Sequence, residues 1–420
     1  MHILPDSCSE PFICTCHCVS DSPKSDRRLE ASTQPRTATV TGLPVRGQHP
    51  RRIRSDSLYE QLRGTITELP PTIRRPDFLK RACQLLMPRA RAVHAVDSHT
   101  AGEPTRVILA PVQLPGKTIA QKRDYFRRYY DHLRRLLMAE PRGHRDMFGA
   151  VITQPTHPDS DVGVFYMDNG GYLNMCIHGS IGVITTVLQL CTPKTTHSFG
   201  RDLTLDTPAG TVHAQAFSAG GRAMKVVVRN VPSFVYAENV IIRLPDLRSV
   251  RADIVFAGNF FALVDPKQFH LRITKSQITT FAQLGVAIKA AAREQVEVCH
   301  PLLRHISQVD LVEFCEDRPQ SHATTTLVVF GRGQIDRSPC GTGTCAYMAL
   351  AHHRGRLRLG QSHRHCGILG TIFEGSLVQE TQVGPYCAVV PQVCGSAYIT
   401  GFHEFIVECG DPLPNGFLLE

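Results

Sequence analysis

Twice in this chain a cysteine opens a glycine-bearing turn that runs into an apolar segment. Cys176-Ile177-His178-Gly179-Ser180 leads into Ile181-Gly182-Val183-Ile184, and Cys340-Gly341-Thr342-Gly343-Thr344 leads into Cys345-Ala346-Tyr347-Met348-Ala349-Leu350. Both fit Cys-x-x-Gly-[Ser/Thr] followed by a helix-compatible stretch. In a chain of 420 residues, long enough for two ordinary domains, the repeat predicts two related halves, each presenting one thiol. A cysteine at a helix start lies beside unpaired backbone N–H groups and the positive end of the helix dipole. That setting is expected to lower a thiol pKa from about 8.5 towards neutrality, where it gives or takes a proton. The same N–H groups suit a carboxylate, and Gly179, Gly341 and Gly343 let a ligand approach the backbone closely.

Two such turns facing each other would hold one carboxylate and put a thiol on either face of the adjoining carbon. Inversion of a carbon acid needs that arrangement: one group takes the proton from one face and the other donates from the opposite face. Hydrogen bonds to the carboxylate stabilise the enediolate-like charge that develops. No metal is required, and the sequence carries no recognisable cofactor motif. A cysteine before a glycine-rich turn is also commonly a small buried hydrophobe. Gly-Thr-Gly-Thr alone could be a phosphate-binding turn, although it lacks the Lys and spacing of a P-loop. The pattern by itself leaves the catalytic and the structural reading of the pair open.

The rest of the chain narrows the class. It is 42% hydrophobic and 20% charged, lacks Trp, and has no apolar run of the length needed to span a bilayer. Its net charge of +9 is concentrated in residues 1–92, which hold fifteen Lys or Arg against nine Asp or Glu. The body therefore reads as an ordinary solvated surface and no nucleic acid is expected as its partner, whereas the basic arm could bind nucleic acid or a protein. Residues 1–92 are rich in Ser, Pro, Thr and Arg and read as a basic, disordered extension. Its Cys14-Thr15-Cys16-His17-Cys18 cluster lacks the second ligand pair of a zinc site and reads as free thiols. The fifteen cysteines are odd in number and irregularly spaced, which does not suit a disulfide framework. Met1–Ser20 lacks a basic segment followed by an apolar one, so no secretory signal is expected. A reducing compartment, the cytoplasm, fits both observations.

From Val93 strands and turns alternate. Val93–Asp97, Thr105–Leu109, Asp161–Met167, Leu203–Leu205, Thr211–Ala216, Ala223–Val228, Ile254–Val264 and Thr325–Phe330 read as strands, with Ser98–Pro104 turn-prone. Ile119–Met138, ending before Pro141, and Ile278–Glu297 have helical spacing. A mixed α/β (α+β) architecture with antiparallel pairing is predicted.

The chain resembles the proline racemase family from about Val93 to its C-terminus. The resemblance is carried in order by Asp97-Ser98-His99-Thr100-Ala101-Gly102-Glu103-Pro104-Thr105-Arg106, Glu140-Pro141-Arg142-Gly143-His144-Arg145-Asp146-Met147-Phe148-Gly149, and Gly170-Gly171-Tyr172-Leu173-Asn174-Met175-Cys176. Gly258-Asn259-Phe260-Phe261-Ala262, Asp336-Arg337-Ser338-Pro339-Cys340-Gly341-Thr342-Gly343-Thr344 and Gly395-Ser396-Ala397-Tyr398-Ile399-Thr400-Gly401-Phe402 complete it. It implies a diaminopimelate-epimerase-like fold of two similar domains, with the active site in the cleft between them and no pyridoxal phosphate. Those domains would span 93–235, with Cys176, and 236–420, with Cys340, the C-terminal segment returning to the first. A homodimer acting on a small substrate, proline or hydroxyproline, is implied too.

Residue by residue, the resemblance places Cys176 and Cys340 on the two catalytic bases. It places His178 beside the first thiol and Asp336 where the family contacts the ring nitrogen. The N–H groups of Ile177, His178, Gly341 and Thr342 fall where the carboxylate is bound. Phe148 and Phe330 match the aromatic pair packed against the ring in racemases of unsubstituted proline. Bland roles exist for several of these: a helix cap for His178, turn amides for Asp336, plain core for the two Phe. Family members that dehydrate trans-3-hydroxyproline carry Thr or Ser where Cys340 stands, so the implied reaction is racemisation or epimerisation. Proline is favoured over 4-hydroxyproline because two Phe leave a ring hydroxyl unsatisfied. A 4-hydroxyproline 2-epimerase and a catalytically impaired proline-binding homologue are the alternatives. Ile177 is the main departure, since the family usually has Gly after the first cysteine. A β-branched residue there would be strained at φ > 0, which makes Cys176 the expected weak point. Cys345 replaces a usual Ser and Cys366 lies in another motif-like stretch, predicting extra oxidisable thiols around the site.

Overall fold

The computed structural model describes residues 92–109, 114–191, 199–219, 222–246, 248–318, 323–407 and 411–419. The expected extension, apart from Ala92, and its Cys14–Cys18 cluster lie outside the described residues. The described chain is a mixed α/β fold of eighteen strands in one continuous hydrogen-bonded network, closed in the manner of a barrel, with four α-helices.

In chain order the elements begin with β1 (Ala92–Thr100), β2 (Glu103–Ile108), α1 (Ile119–Met138), β3 (Phe148–Thr153), β4 (Val162–Asp168), β5 (Tyr172–Leu173) and α2 (Ile177–Cys191). They continue through β6 (Phe199–Thr207), β7 (Gly210–Ala219), β8 (Arg222–Arg229), β9 (Ser233–Arg243), β10 (Ser249–Phe256), β11 (Phe260–Val264) and α3 (Ile278–Gln295). The last are β12 (Val309–Arg318), β13 (Ala323–Phe330), β14 (Gln334–Ile335), α4 (Gly341–His353), β15 (His363–Cys366), β16 (Ile372–Val383), β17 (Tyr386–Gly395) and β18 (Ala397–Ile406).

The pairings make two rounds of strands. One runs β18-β1-β2-β3-β4-β6-β7-β8-β17, with β1 antiparallel to β18 from Ala92↔Ile406 to Thr100↔Ala397. The other runs from β9 through β10, β11, β12, β13, β15 and β16 to β17 and closes by pairing β17 with β9. Each round wraps one helix, α2 in the first and α4 in the second. These helices are apolar or small on nearly every side, the composition of a helix buried all round, and residues Gly341 to Ala351 of α4 are all buried. α1 is the contrasting case. Its N-terminus is capped by the Thr118 hydroxyl, and only the stripe containing Ile119, Phe126 and Leu137 is buried, against Phe165 and Met167 of β4. α3 packs likewise on β12 and β13, with Phe281 and Phe314 at 4.8 Å between ring centres.

Two expectations are corrected. Ile254–Val264 is not one strand; β10 and β11 are an antiparallel pair split at Ala257–Asn259, where Gly258 adopts φ +96°. An apolar run on both sides of the turn conceals the break, because only the glycine signals it. Ser98–Pro104 is mostly strand: β1 continues to Thr100, and Ala101 and Gly102, at φ 53° and 100°, suffice for the turn.

Candidate active site

Cys176 immediately precedes α2 and Cys340 is the N-cap of α4. The repeated motif is repeated in its bonding. Each sulfur faces the N–H three residues on, Gly179 N and Gly343 N, both at 3.4 Å. Each cysteine carbonyl accepts twice from the residue four on: Ser180 N at 3.0 Å and Oγ at 2.7 Å, and Thr344 N and Oγ1 both at 2.8 Å. The hydroxyl of the Cys-x-x-Gly-[Ser/Thr] pattern thus ties the first helical turn to the cysteine peptide. The glycines are small because of what lies beside them. A Cβ on Gly179 would stand 2.9 Å from the Tyr166 ring, and one on Gly343 would stand 2.6 Å from the Glu313 carboxylate.

The two helix starts meet. A Cβ on Gly341 would stand 2.5 Å from both Cβ and Cγ2 of Ile177, so the fully buried Ile177 side chain lies directly on the Gly341 backbone. Helices cannot satisfy their own first N–H groups, so the amides of Ile177, His178, Gly341 and Thr342 gather at these adjoining ends. Ile177 is not among the residues with positive φ, so the strain anticipated there does not arise. It falls on Cys340, a non-glycine residue at φ 57°, an energetically costly conformation that the surrounding structure imposes.

The thiol pKa values also depart from expectation. Cys176 and Cys340 are only 6% and 4% exposed. Burial drives both thiols well above their ordinary value, while the Gly179 and Gly343 amides oppose the rise and nearby carboxyls add to it. Desolvation outweighs the helix-terminus effect because the two strand rounds exclude water from both sides.

His178 Nδ1 stands 3.1 Å from the Cys176 sulfur. Burial lowers the imidazole to about 3, against a backbone hydrogen bond to Pro104 that raises it, so the ring is neutral at physiological pH. On the other side two backbone donations lead from Asp336 to Cys340. Ser338 N donates to Asp336 Oδ1 at 2.8 Å, and Cys340 N donates to Ser338 Oγ at 3.1 Å. Asp336 is pushed up to about 6, chiefly by burial, with Ser338 and the Cys340 side chain opposing. Phe148 and Phe330, both buried, meet edge to face at 6.2 Å, and Phe148 lies 4.5 Å from the His178 ring. The expected residues are therefore drawn together from β3, α2, β13 and the loop before α4.

Glu103, within the Asp97–Arg106 stretch, had no expected role of its own. It is fully buried and accepts from Arg337 N at 2.7 Å, while the Arg337 guanidinium holds Asp146 at 2.7 Å. Its one local signal is an acid directly after the Ala101-Gly102 turn, at the start of a strand that is almost wholly buried. The predicted ring of oxidisable thiols does not hold for Cys345, which is fully buried with its pKa raised by that burial. Among the described residues no cluster of His, Cys, Asp or Glu could hold a metal ion, and no helix is long and apolar enough to cross a membrane.

Residues 95–418 match the family model described as proline racemase. The proline racemase of Clostridioides difficile is 42% identical over 337 residues, covering 79% of this chain and 99% of that protein. The 4-hydroxyproline 2-epimerase of Streptosporangium roseum is 40% identical over 335 residues, covering 78% and 99%. A crystal structure described as a probable proline racemase from Agrobacterium radiobacter K84, with bound carbonate, superposes with a TM-score of 0.73 at 32% identity, over 78% of this chain and 96% of that one.

Proposed function

The chain belongs to the proline racemase family, and we propose that it interconverts L- and D-proline with Cys176 and Cys340 as the acid/base pair. It is an isomerase of the racemase type. In this reading the two strand rounds are the halves of a diaminopimelate-epimerase-like fold, and the substrate is held where α2 and α4 begin.

The proline carboxylate takes the N–H groups of Ile177, His178, Gly341 and Thr342, and the ring nitrogen faces Asp336 and His178. One cysteine, as thiolate, removes the Cα proton from one face while the other, as thiol, donates from the opposite face. The negative charge that spreads into the carboxylate is met by amides already aimed at it. Burial favours the protonated thiols and makes whichever sulfur is ionised a stronger base, because a desolvated thiolate takes up a proton more readily. A carbon acid of high pKa needs such a base, and raising both thiols alike serves a reaction that runs equally in either direction. The meeting of the two cysteine-bearing helix ends at Ile177 and Gly341 carries this proposal.

Proline is preferred to 4-hydroxyproline because the Phe148–Phe330 pair gives a ring hydroxyl no partner, and an unpaired buried hydroxyl costs about 1–3 kcal/mol. The epimerase relative makes hydroxyproline the second reading. Polarimetry and deuterium entry at Cα, run on proline and on both 4-hydroxyproline isomers, separate the two. Cys176→Ser and Cys340→Ser are expected to lower racemisation at least ~10³-fold each. Retained racemisation in either variant would end the two-thiol mechanism, and proline binding without exchange would show a protein that binds but does not turn over.

A further inference from the structure

The segment that delivers Cys176 belongs to no helix or strand: Asn174, Met175 and Cys176 lie between β5 and α2. No ladder fixes its backbone, yet it carries a group whose placement governs a proton transfer. One side chain from the second round of strands grips the backbone of the two residues before the thiol. Asn259, fully buried in the β10–β11 turn, accepts on Oδ1 from Asn174 N at 2.9 Å and from Asn174 Nδ2 at 3.2 Å. Its own Nδ2 donates to the Met175 carbonyl at 2.7 Å. A carboxamide is suited to this because it accepts and donates from one rigid plane. The turn is shaped to bring it there. Gly258 has φ +96°, and a Cβ on it would stand 2.5 Å from Met175 Cβ. On its far side Asn174 Oδ1 is held by the buried Arg123 of α1.

We infer that Asn259 is a positioning residue for the first thiol, fixing Cys176 through the two residues that precede it without itself touching substrate. This rests on the assignment of Cys176 as one of the reacting thiols. The contact joins residues 85 positions apart, linking the second round of strands to the cysteine of the first.

The test combines proline racemisation with alkylation of each cysteine by iodoacetamide, mapped by mass spectrometry. Asn259→Ala removes both halves of the clamp. A displacement near 1 Å predicts a fall in kcat of about 30- to 100-fold, with KM within about threefold. The Cys176 alkylation rate is expected to rise at least ~5-fold relative to that of Cys340. Asn259→Asp, near-isosteric, keeps the acceptor half and loses the donation to Met175 as a carboxylate, so an intermediate effect is expected. It carries the test if the alanine variant does not fold. An unchanged kcat in the folded variants, or alkylation of both cysteines rising in parallel, would overturn the proposal. If the unaltered protein does not racemise proline, the functional reading fails, while a selective change at Cys176 would still establish the clamp.

Discussion

Replacing Gly341 by alanine probes the contact on which the site is built. The new Cβ would stand 2.5 Å from Ile177 Cβ and Cγ2, whereas carbon atoms rest at about 3.5–4.0 Å. The helix ends must therefore part by about 1 Å, since neither partner is the free end of a flexible chain and Ile177 is stiff at χ1. Overpacking of this kind costs about 1–3 kcal/mol in stability. The same 1 Å at the reacting groups predicts a loss of about 10²-fold in kcat. Trimming the opposing side chain should undo it: Ile177→Gly in the Gly341→Ala background removes both clashing atoms, Cβ and Cγ2, and gives the helix ends room to relax. The double-mutant cycle is expected to show coupling of at least ~1 kcal/mol in both stability and rate. Steady-state racemisation and urea denaturation of the four proteins measure it. A Gly341→Ala enzyme with unaltered kcat, or additive effects in the double variant, would refute the idea that Ile177 sets the separation of the two helix ends.

Three further outcomes are expected. Phe330→Ser offers a ring hydroxyl a partner and should raise kcat/KM for 4-hydroxyproline relative to proline by about tenfold, read in parallel assays of the two substrates. Asp336 is raised to about 6 from 3.8 by burial, so its contribution is fully present below pH 3.8 and is lost as pH rises through 6. Wild-type stability should fall between those pH values by on the order of 1–3 kcal/mol more than that of Asp336→Asn, measured by urea denaturation; Glu103, raised by burial and by Asp336, loses the part due to Asp336 in the variant and so contributes to the same difference. Arg106 forks onto Asp97 at 2.9 and 2.8 Å and also donates to the carbonyls of Leu137 and Arg142; Arg106→Met strands the two carbonyls, leaves Asp97 to the half-exposed His403 at 3.2 Å, and should cost about 3–5 kcal/mol in chemical denaturation.

What the sequence revealed depended on how local the cause was. α1 was legible to the residue because its apolar stripe and the Pro141 beyond it lie within one stretch, to which the structure adds the Thr118 cap. The helices after Cys176 and Cys340 were visible through the repeated turn, although their apolar sides show no amphipathic period. The Ile254–Val264 run hid a turn because both of its strands are buried on both faces. The raised thiols were misjudged for a related reason. The helix-terminus effect is written in the five residues of the turn, whereas desolvation comes from rings such as Phe148 and Tyr166 and from strands brought in from the far end of the chain. Glu103 and Asn259 were overlooked as agents because their partners, Arg337 and Asn174, are remote in sequence.

The pairing of β1 with β18 bears on how the chain is made. The round enclosing α2 is completed by residues 397–406, and the round enclosing α4 by residues 386–395. α2 emerges from the ribosome with apolar groups on all sides, roughly 200 residues ahead of its last covering strand, and at roughly 5–20 residues per second it waits roughly 10–40 s. A nascent chain of this kind is a natural client for chaperones, and deletions at the C-terminal end strike the half of the fold that was synthesised first.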